Sequence, residues 1–71
     1  RSLARPLVQL RSTAQALASG QLQSRVEGSI IQRRDEVGDL ARSLNRMAAE
    51  IDTLDQSRQR LLRDVAHELR S

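Results

Sequence analysis

The chain has 71 residues, of which 12 are arginine and 9 are aspartate or glutamate, so its formal net charge is +3 at pH 7. It contains no cysteine, which excludes disulfides, thiol catalysis and cysteine-ligated zinc. A chain this short buries too little apolar surface to be stable alone, so we expect it to self-associate.

Both signs of charge are used heavily and are interspersed, which is typical of solvated helix faces and not of a nucleic-acid-binding patch. There is no apolar run long enough to span a bilayer, and the first residues lack the apolar segment of a signal peptide. The chain begins without methionine and ends within a helical pattern. We therefore expect the chain to be a piece of a longer protein. From the mixed charges we expect no nucleic-acid partner.

A first helix is predicted over about residues 2–19, because apolar residues recur at alternating spacings of four and three. This spacing places them on one stripe of a helix. Pro6 falls in the first turns, where a missing amide is tolerated. Gly20 is predicted to end the helix, since glycine readily adopts the left-handed conformation found there. The stripe consists of Leu3, Leu7, Leu10, Ala14 and Leu17.

A polar connector is predicted over about residues 20–34, before a second helix over about residues 35–55. The connector holds four apolar residues without helical periodicity, which a solvated loop would not need, so we expect it to be ordered. Asp35 is a plausible N-cap of the second helix, and Glu36 adds negative charge at its positive end. The apolar connector residues are Leu22, Val26, Ile30 and Ile31.

The second helix repeats the apolar spacing of the first. A connector of about fifteen residues is long enough to run back along the first helix, so the two helices can lie parallel. A parallel four-helix homodimer would bury both stripes at once. An ordinary helical hairpin from a larger bundle stays open on periodicity alone. The second stripe consists of Val37, Leu40, Leu44, Met47, Ile51 and Leu54.

The segments "RPLVQLRSTAQALASGQL" and "DEVGDLARSLNRMA" resemble the HAMP domain, a parallel four-helix linker beneath the transmembrane segments of bacterial sensors. The resemblance covers residues 1–55, although Leu44 stands where the family often has phenylalanine. It implies an all-α homodimer on the cytoplasmic side of the inner membrane, below an upstream transmembrane segment, with Arg1 and Arg5 close to the bilayer. The signal-coupling residues that it implies are Pro6, Ala14, Gly20, Leu22, Val26, Glu36 and Met47.

The apolar spacing changes phase after Leu54. Continuing the heptads would place Arg58 and Glu68 in the core, whereas an eleven-residue step places Leu62 and Val65 there instead. Such a step corresponds to a stutter, a four-residue insertion in the heptad pattern that locally unwinds a coiled coil. A change of this kind commonly marks a module boundary. The alternative is that the helix frays after Leu54.

The final string "LLRDVAHELRS" resembles the H-box of sensor histidine kinases, which implies that residues 56–71 begin a dimerisation helix. By this resemblance His67 is the phosphoacceptor and Glu68 the acid/base. Ser71, where threonine is more usual, would position water for dephosphorylation of a response regulator. The parent protein would use ATP and Mg²⁺ in a separate ATP-binding domain, because this fragment has no phosphate loop or Mg²⁺ carboxylate cluster and needs no cofactor itself.

Other functions fit the residues less well. On position alone, an exposed single histidine such as His67 is usually inert, and it cannot form a metal site without a second imidazole. A basic coiled-coil DNA-binding protein needs arginines before its zipper, whereas Arg58 and Arg60 follow the heptads. A structural coiled-coil adaptor or a chemoreceptor-type HAMP linker, neither with phosphotransfer, remains the alternative.

Overall fold

A computed structural model describes residues 3–71 as two α-helices joined by an ordered connector. Helix α1 spans Ala4–Ala18, a short 3₁₀ helix spans Gly28–Gln32, and helix α2 spans Glu36–Arg70. The predicted all-α fold is confirmed. The predicted helix start at residue 2, and Arg1, lie outside the described residues. The molecule is a rod of 62 × 19 × 15 Å, because α2 is more than twice as long as α1.

Helix α1 ends at a glycine in the left-handed conformation, as its sequence predicts. Gly20 has φ +98°, and its amide donates to the carbonyl of Leu17 at 3.0 Å. The next amide, that of Gln21, donates to the carbonyl of Ala16 at 2.9 Å. This pair of hydrogen bonds is the Schellman motif, which satisfies the last helical carbonyls and turns the chain back. Ser19, predicted within the helix, is its C-cap.

The connector runs back along α2 in the opposite direction to that helix. Near its start, the Gln23 side chain donates to Asp52 at 2.9 Å. Near its end, the carbonyl of Arg33 accepts from Arg42 at 3.1 Å. Since the chain reverses direction at Gly20 and again before α2, the two helices lie parallel.

The core of the single chain lies where α1, the connector and α2 meet. Two of the apolar connector residues contribute to it: Ile30 is buried and Ile31 packs against the cluster. The 3₁₀ helix, which the sequence did not predict, turns Ile30 inward. The buried members of the cluster are Leu10, Val26, Ile30 and Ala41.

Helix α2 meets the connector through a face of small residues. Gly38, Ala41 and Ala48 are all buried there, and their spacing of three and seven places them on one side of the helix. A Cβ atom on Gly38 would overlap the carbonyl oxygen of Arg33. The small residues therefore let the connector's backbone approach α2 closely, while Val37 and Leu44 pack against the cluster and Leu40 and Met47 remain exposed.

Helix α2 begins at the predicted N-cap. The Asp35 carboxylate accepts from the amide of Gly38 at 3.1 Å, and it pairs with the Arg33 guanidinium at 2.6 Å. The hydrogen bond from Arg33, followed by that from Gly38, lowers the pKa of Asp35 from 3.8 to about 2. From this cap the helix continues without a break to Arg70. The alternative that it frays after Leu54 is therefore wrong.

Candidate functional site

The single histidine lies near the far end of α2. His67 is exposed, as are Glu68 and Ser71, so the imidazole is open to a reactant carried by another domain. The Ser71 amide donates to the carbonyl of Glu68, and its hydroxyl donates to the carbonyl of His67, both at 3.2 Å. The serine thus caps the helix, and its hydroxyl donates to the main chain of His67.

The described residues around His67 do not form a metal-binding cluster. Within residues 3–71 no group of three or more histidine, cysteine, aspartate or glutamate side chains could hold a metal ion. A lone neutral imidazole is nevertheless a nucleophile near pH 7. The arrangement at His67 therefore suits attack on an electrophile brought from outside.

The helix that carries His67 exposes a row of large apolar side chains. Leu54 is 69% exposed and Leu69 is 81% exposed, values that a stable single helix in water would avoid. The row extends the apolar stripe of the first half of α2 toward the end of the helix. Its other members are Leu61, Leu62 and Val65.

A second apolar feature is an open groove between α1 and α2, with a volume of about 370 Å³. Ala14 and Met47 line it from opposite helices. Both were expected to couple the signal through a packed core, and in the single chain both are exposed. Leu3 and Leu7, which the stripe also placed in a core, are exposed too. The apolar lining of the groove is completed by Leu10, Leu40 and Leu44.

The remaining expected coupling residues lie around the connector and the helix starts. Leu22 is half-buried and Val26 is 2% exposed, so the connector is anchored at both. Pro6 is half-buried in the first turn of α1, and Glu36 is exposed in the first turn of α2. The structure thus separates these residues into a connector set and a groove set.

Two α2 side chains that the sequence analysis did not identify as connector contacts hold the connector in place. Asn45 accepts from the amide of Val26 at 2.8 Å and donates to its carbonyl at 2.9 Å. Arg42 donates to the carbonyls of Ile31 and Arg33 and pairs with Asp39 at 2.6 Å. Both contacts depend on the path of the connector, which no local sequence pattern indicates.

The predicted phase change coincides with an ion pair on α2. Arg58 lies on the apolar stripe and pairs with Asp55 at 3.0 Å. Gln59 donates to the same carboxylate at 2.6 Å. The hydrogen bond from Arg58, followed by that from Gln59, lowers the pKa of Asp55. The ion pair therefore holds the Arg58 side chain to one side of the apolar stripe, where the sequence predicts the phase change.

Comparison with known proteins adds independent information. The sequence pattern of the HAMP domain matches residues 1–53. The chain is 39% identical over 72 residues to the sensor protein PfeS of Pseudomonas aeruginosa and covers 16% of that protein. It is 29% identical over 70 residues to the heme sensor protein HssS of Staphylococcus aureus, with 99% of the chain matched to 15% of that protein. No solved structure matches significantly, and neither helix within residues 3–71 has the length and apolar character to cross a membrane.

Proposed function

The chain belongs to the HAMP domain family, and from this premise we propose that it links a membrane sensor to the phosphoacceptor histidine of a sensor histidine kinase. HAMP domains transmit signals, and the relatives PfeS and HssS are sensor proteins by name. The chain spans about a sixth of their length. The kinase activity therefore belongs to the proposal for the whole protein.

The observation that carries the proposal is the continuity of α2. One helix of 35 residues starts at the N-cap beside the connector and includes His67. At 1.5 Å per residue, the histidine lies about 46 Å along the helix from Glu36. A rotation or tilt imposed at the connector end is thus carried to the imidazole by an unbroken rod. We propose a module boundary near residues 55 and 56, at the phase change.

The exposed apolar surfaces support a homodimer as the working form. The groove around Ala14 and Met47 and the row from Leu54 to Leu69 lie uncovered in the single chain. A second, parallel copy would cover both in a four-helix bundle that narrows to two helices beyond α1. The seven expected signal-coupling residues would then act by changing how the four helices pack.

The chemistry proposed at His67 is phosphoryl transfer. A ring nitrogen attacks the γ-phosphorus of ATP, the bond to the bridging oxygen breaks and ADP leaves, while Glu68 accepts the imidazole proton. The phosphoryl group then passes to an aspartate of a response regulator. ATP and Mg²⁺ are bound by a domain outside these residues, and Ser71 positions water for dephosphorylation of the regulator. The chain lies on the cytoplasmic side of the inner membrane, with Arg5 near the bilayer.

The proposal is tested by replacing the single histidine in the full-length protein. With labelled ATP, His67→Gln should take up no label while its circular dichroism spectrum and melting temperature stay unchanged, because the exposed imidazole contributes nothing to the core. Glu50→Gln, also on α2 and exposed, serves as the control and should label normally. Label at the wild-type level in His67→Gln would refute the assignment. A wild-type protein that signals without ever taking up label would support the adaptor or chemoreceptor-type linker instead.

A further inference from the structure

A small pocket lies at the start of α1, where the helix faces the connector's 3₁₀ helix. Its volume is about 180 Å³, roughly that of six water molecules. None of its lining residues is acidic and two are arginines. The lining consists of Arg5, Pro6, Gln9, Ser29, Ile30 and Arg33.

Several hydrogen-bond donors of the pocket have no acceptor among the described residues. The Arg5 guanidinium forms no hydrogen bond or ion pair with any other residue in the described range 3–71. Arg33 directs Nε and Nη2 to Asp35, at 3.2 and 2.6 Å, which leaves its Nη1 free of that pair. The Ser29 hydroxyl has no partner within the same residues. The Arg5 guanidinium, one nitrogen of Arg33 and a hydroxyl are thus available to an acceptor inside the pocket.

The pocket faces away from the surface proposed to form the dimer. At 100° per residue, Arg5 lies about 160° around α1 from Leu7, and Gln9 lies equally far on the other side. The groove that contains Ala14 is on the Leu7 side of the helix. A second copy covering that groove would leave the pocket open to solvent.

We propose that this pocket binds the phosphate group of an anionic phospholipid through Arg5 and Arg33. Guanidinium groups bind phosphate oxygens with paired, charge-assisted hydrogen bonds. Asp35 occupies one edge of the Arg33 guanidinium and reduces the positive charge there. The site therefore favours a ligand present at high local concentration over a dilute free anion.

The choice of a lipid headgroup rests on the proposed function, which places the start of α1 at the membrane surface. Arg5 lies in the first turn of α1, at the end of the module that the proposed function places beside the membrane. An anionic leaflet attracts arginine side chains near its surface. The pocket is then positioned to receive a headgroup from the same leaflet.

A ligand in this pocket would join α1 to the connector. Arg5 belongs to α1, whereas Arg33 follows the 3₁₀ helix whose Ile30 is buried in the core. A phosphate held by both arginines fixes the connector's end relative to α1. The lipid composition of the leaflet would thereby bias the packing that the module transmits.

The experiment measures lipid retained by the full-length protein purified from membranes that contain phosphatidylglycerol and phosphatidylcholine. Native mass spectrometry gives the number of lipids per dimer for the wild type, Arg5→Gln, Arg33→Gln and the control Arg34→Gln. The control removes the same charge from an exposed neighbour that does not line the pocket. Both pocket variants should retain phosphatidylglycerol roughly tenfold more weakly, as expected for one lost charge-assisted contact, and the control should match the wild type.

Three results would overturn the proposal. An equal loss in Arg34→Gln would indicate diffuse attraction to the membrane, and full retention in Arg5→Gln, which disrupts no contact in the fold, would show that the pocket is not used. Displacement of the lipid by millimolar inorganic phosphate would assign the site to a free anion and overturn the lipid. His67→Gln should retain lipid normally, so a failure of the proposed kinase function can be distinguished from a failure of lipid binding.

Discussion

Replacing Asn45 with alanine should release the connector from α2. The Asn45 side chain forms both hydrogen bonds available to the main chain of Val26, at 2.8 and 2.9 Å. Val26 is 2% exposed, so water cannot readily replace the lost partner. In Asn45→Ala the buried amide and carbonyl of Val26 are both left without a hydrogen bond.

The size of the effect follows from these two groups. A buried polar group left unsatisfied costs about 1–3 kcal/mol. Two such groups give a loss in the free energy of unfolding of about 2–6 kcal/mol, toward the lower end if a water molecule enters the space. For a domain of this size, the melting temperature should fall by roughly 10 °C or more.

The assay is thermal unfolding followed by circular dichroism, at one fixed protein concentration because the stability of a dimer depends on it. Gln23→Ala is the matched control, since it removes an exposed hydrogen bond from the same connector to α2 and should change the free energy of unfolding by less than about 0.5 kcal/mol. Asn45→Asp preserves the side-chain volume but turns a carboxylate toward the Val26 carbonyl, so it should also destabilise strongly. Equal, small losses in Asn45→Ala and Gln23→Ala would refute the reasoning.

Two further predictions concern the groove and the start of α2. Ala14→Val and Ala14→Leu should change both the melting temperature and the basal kinase output, because the groove is proposed to be a packed core in the dimer; unchanged values for both would count against a switchable core there. The lowered pKa of Asp35, about 2 against 3.8, means that its ionised form stabilises the fold fully above pH 4 and that this contribution disappears as the pH falls through 2. The melting temperature of Asp35→Asn should therefore lie below that of the wild type near pH 7 and approach it between pH 4 and 2, and a difference that does not vary with pH would contradict the linkage.

Local chemistry made several features of this fold predictable. Gly20 ends α1 and Asp35 caps α2 because each role depends on a residue type and its immediate neighbours. The exposure of His67 followed from its angle relative to the apolar stripe. The all-α class followed from the two stripes, whose spacing is unambiguous.

What the sequence could not predict depends on where the connector lies. The face of small residues that includes Gly38 and Ala41 gives almost no hydrophobic signal in the sequence, although both residues are buried. Thr13 is buried as well, outside the predicted stripe of α1. The bonds from Arg42 and Asn45 link residues 9 to 19 positions apart, so no local pattern indicates them. The connector's 3₁₀ helix is likewise a product of packing, since Ile30 and Ile31 have no helical period.

The central claim is that α2 transmits its rotational phase from the connector to His67. Deletion of residues 57–60 from the full-length protein places Leu62 seven positions after Ile51 and Val65 seven positions after Leu54, so the two apolar stripes join in one heptad register. A seamless coiled coil should be more stable and should hold one phase. Deletion of residues 57–63 removes two whole turns of a coiled coil at 3.5 residues per turn, so it preserves the phase.

The most direct test measures stimulus-dependent reporter output and the melting temperature for both deletions. We predict that the four-residue deletion raises the melting temperature and fixes the output in one state, while the seven-residue deletion still responds to the stimulus. A normal response from the four-residue deletion would contradict the account.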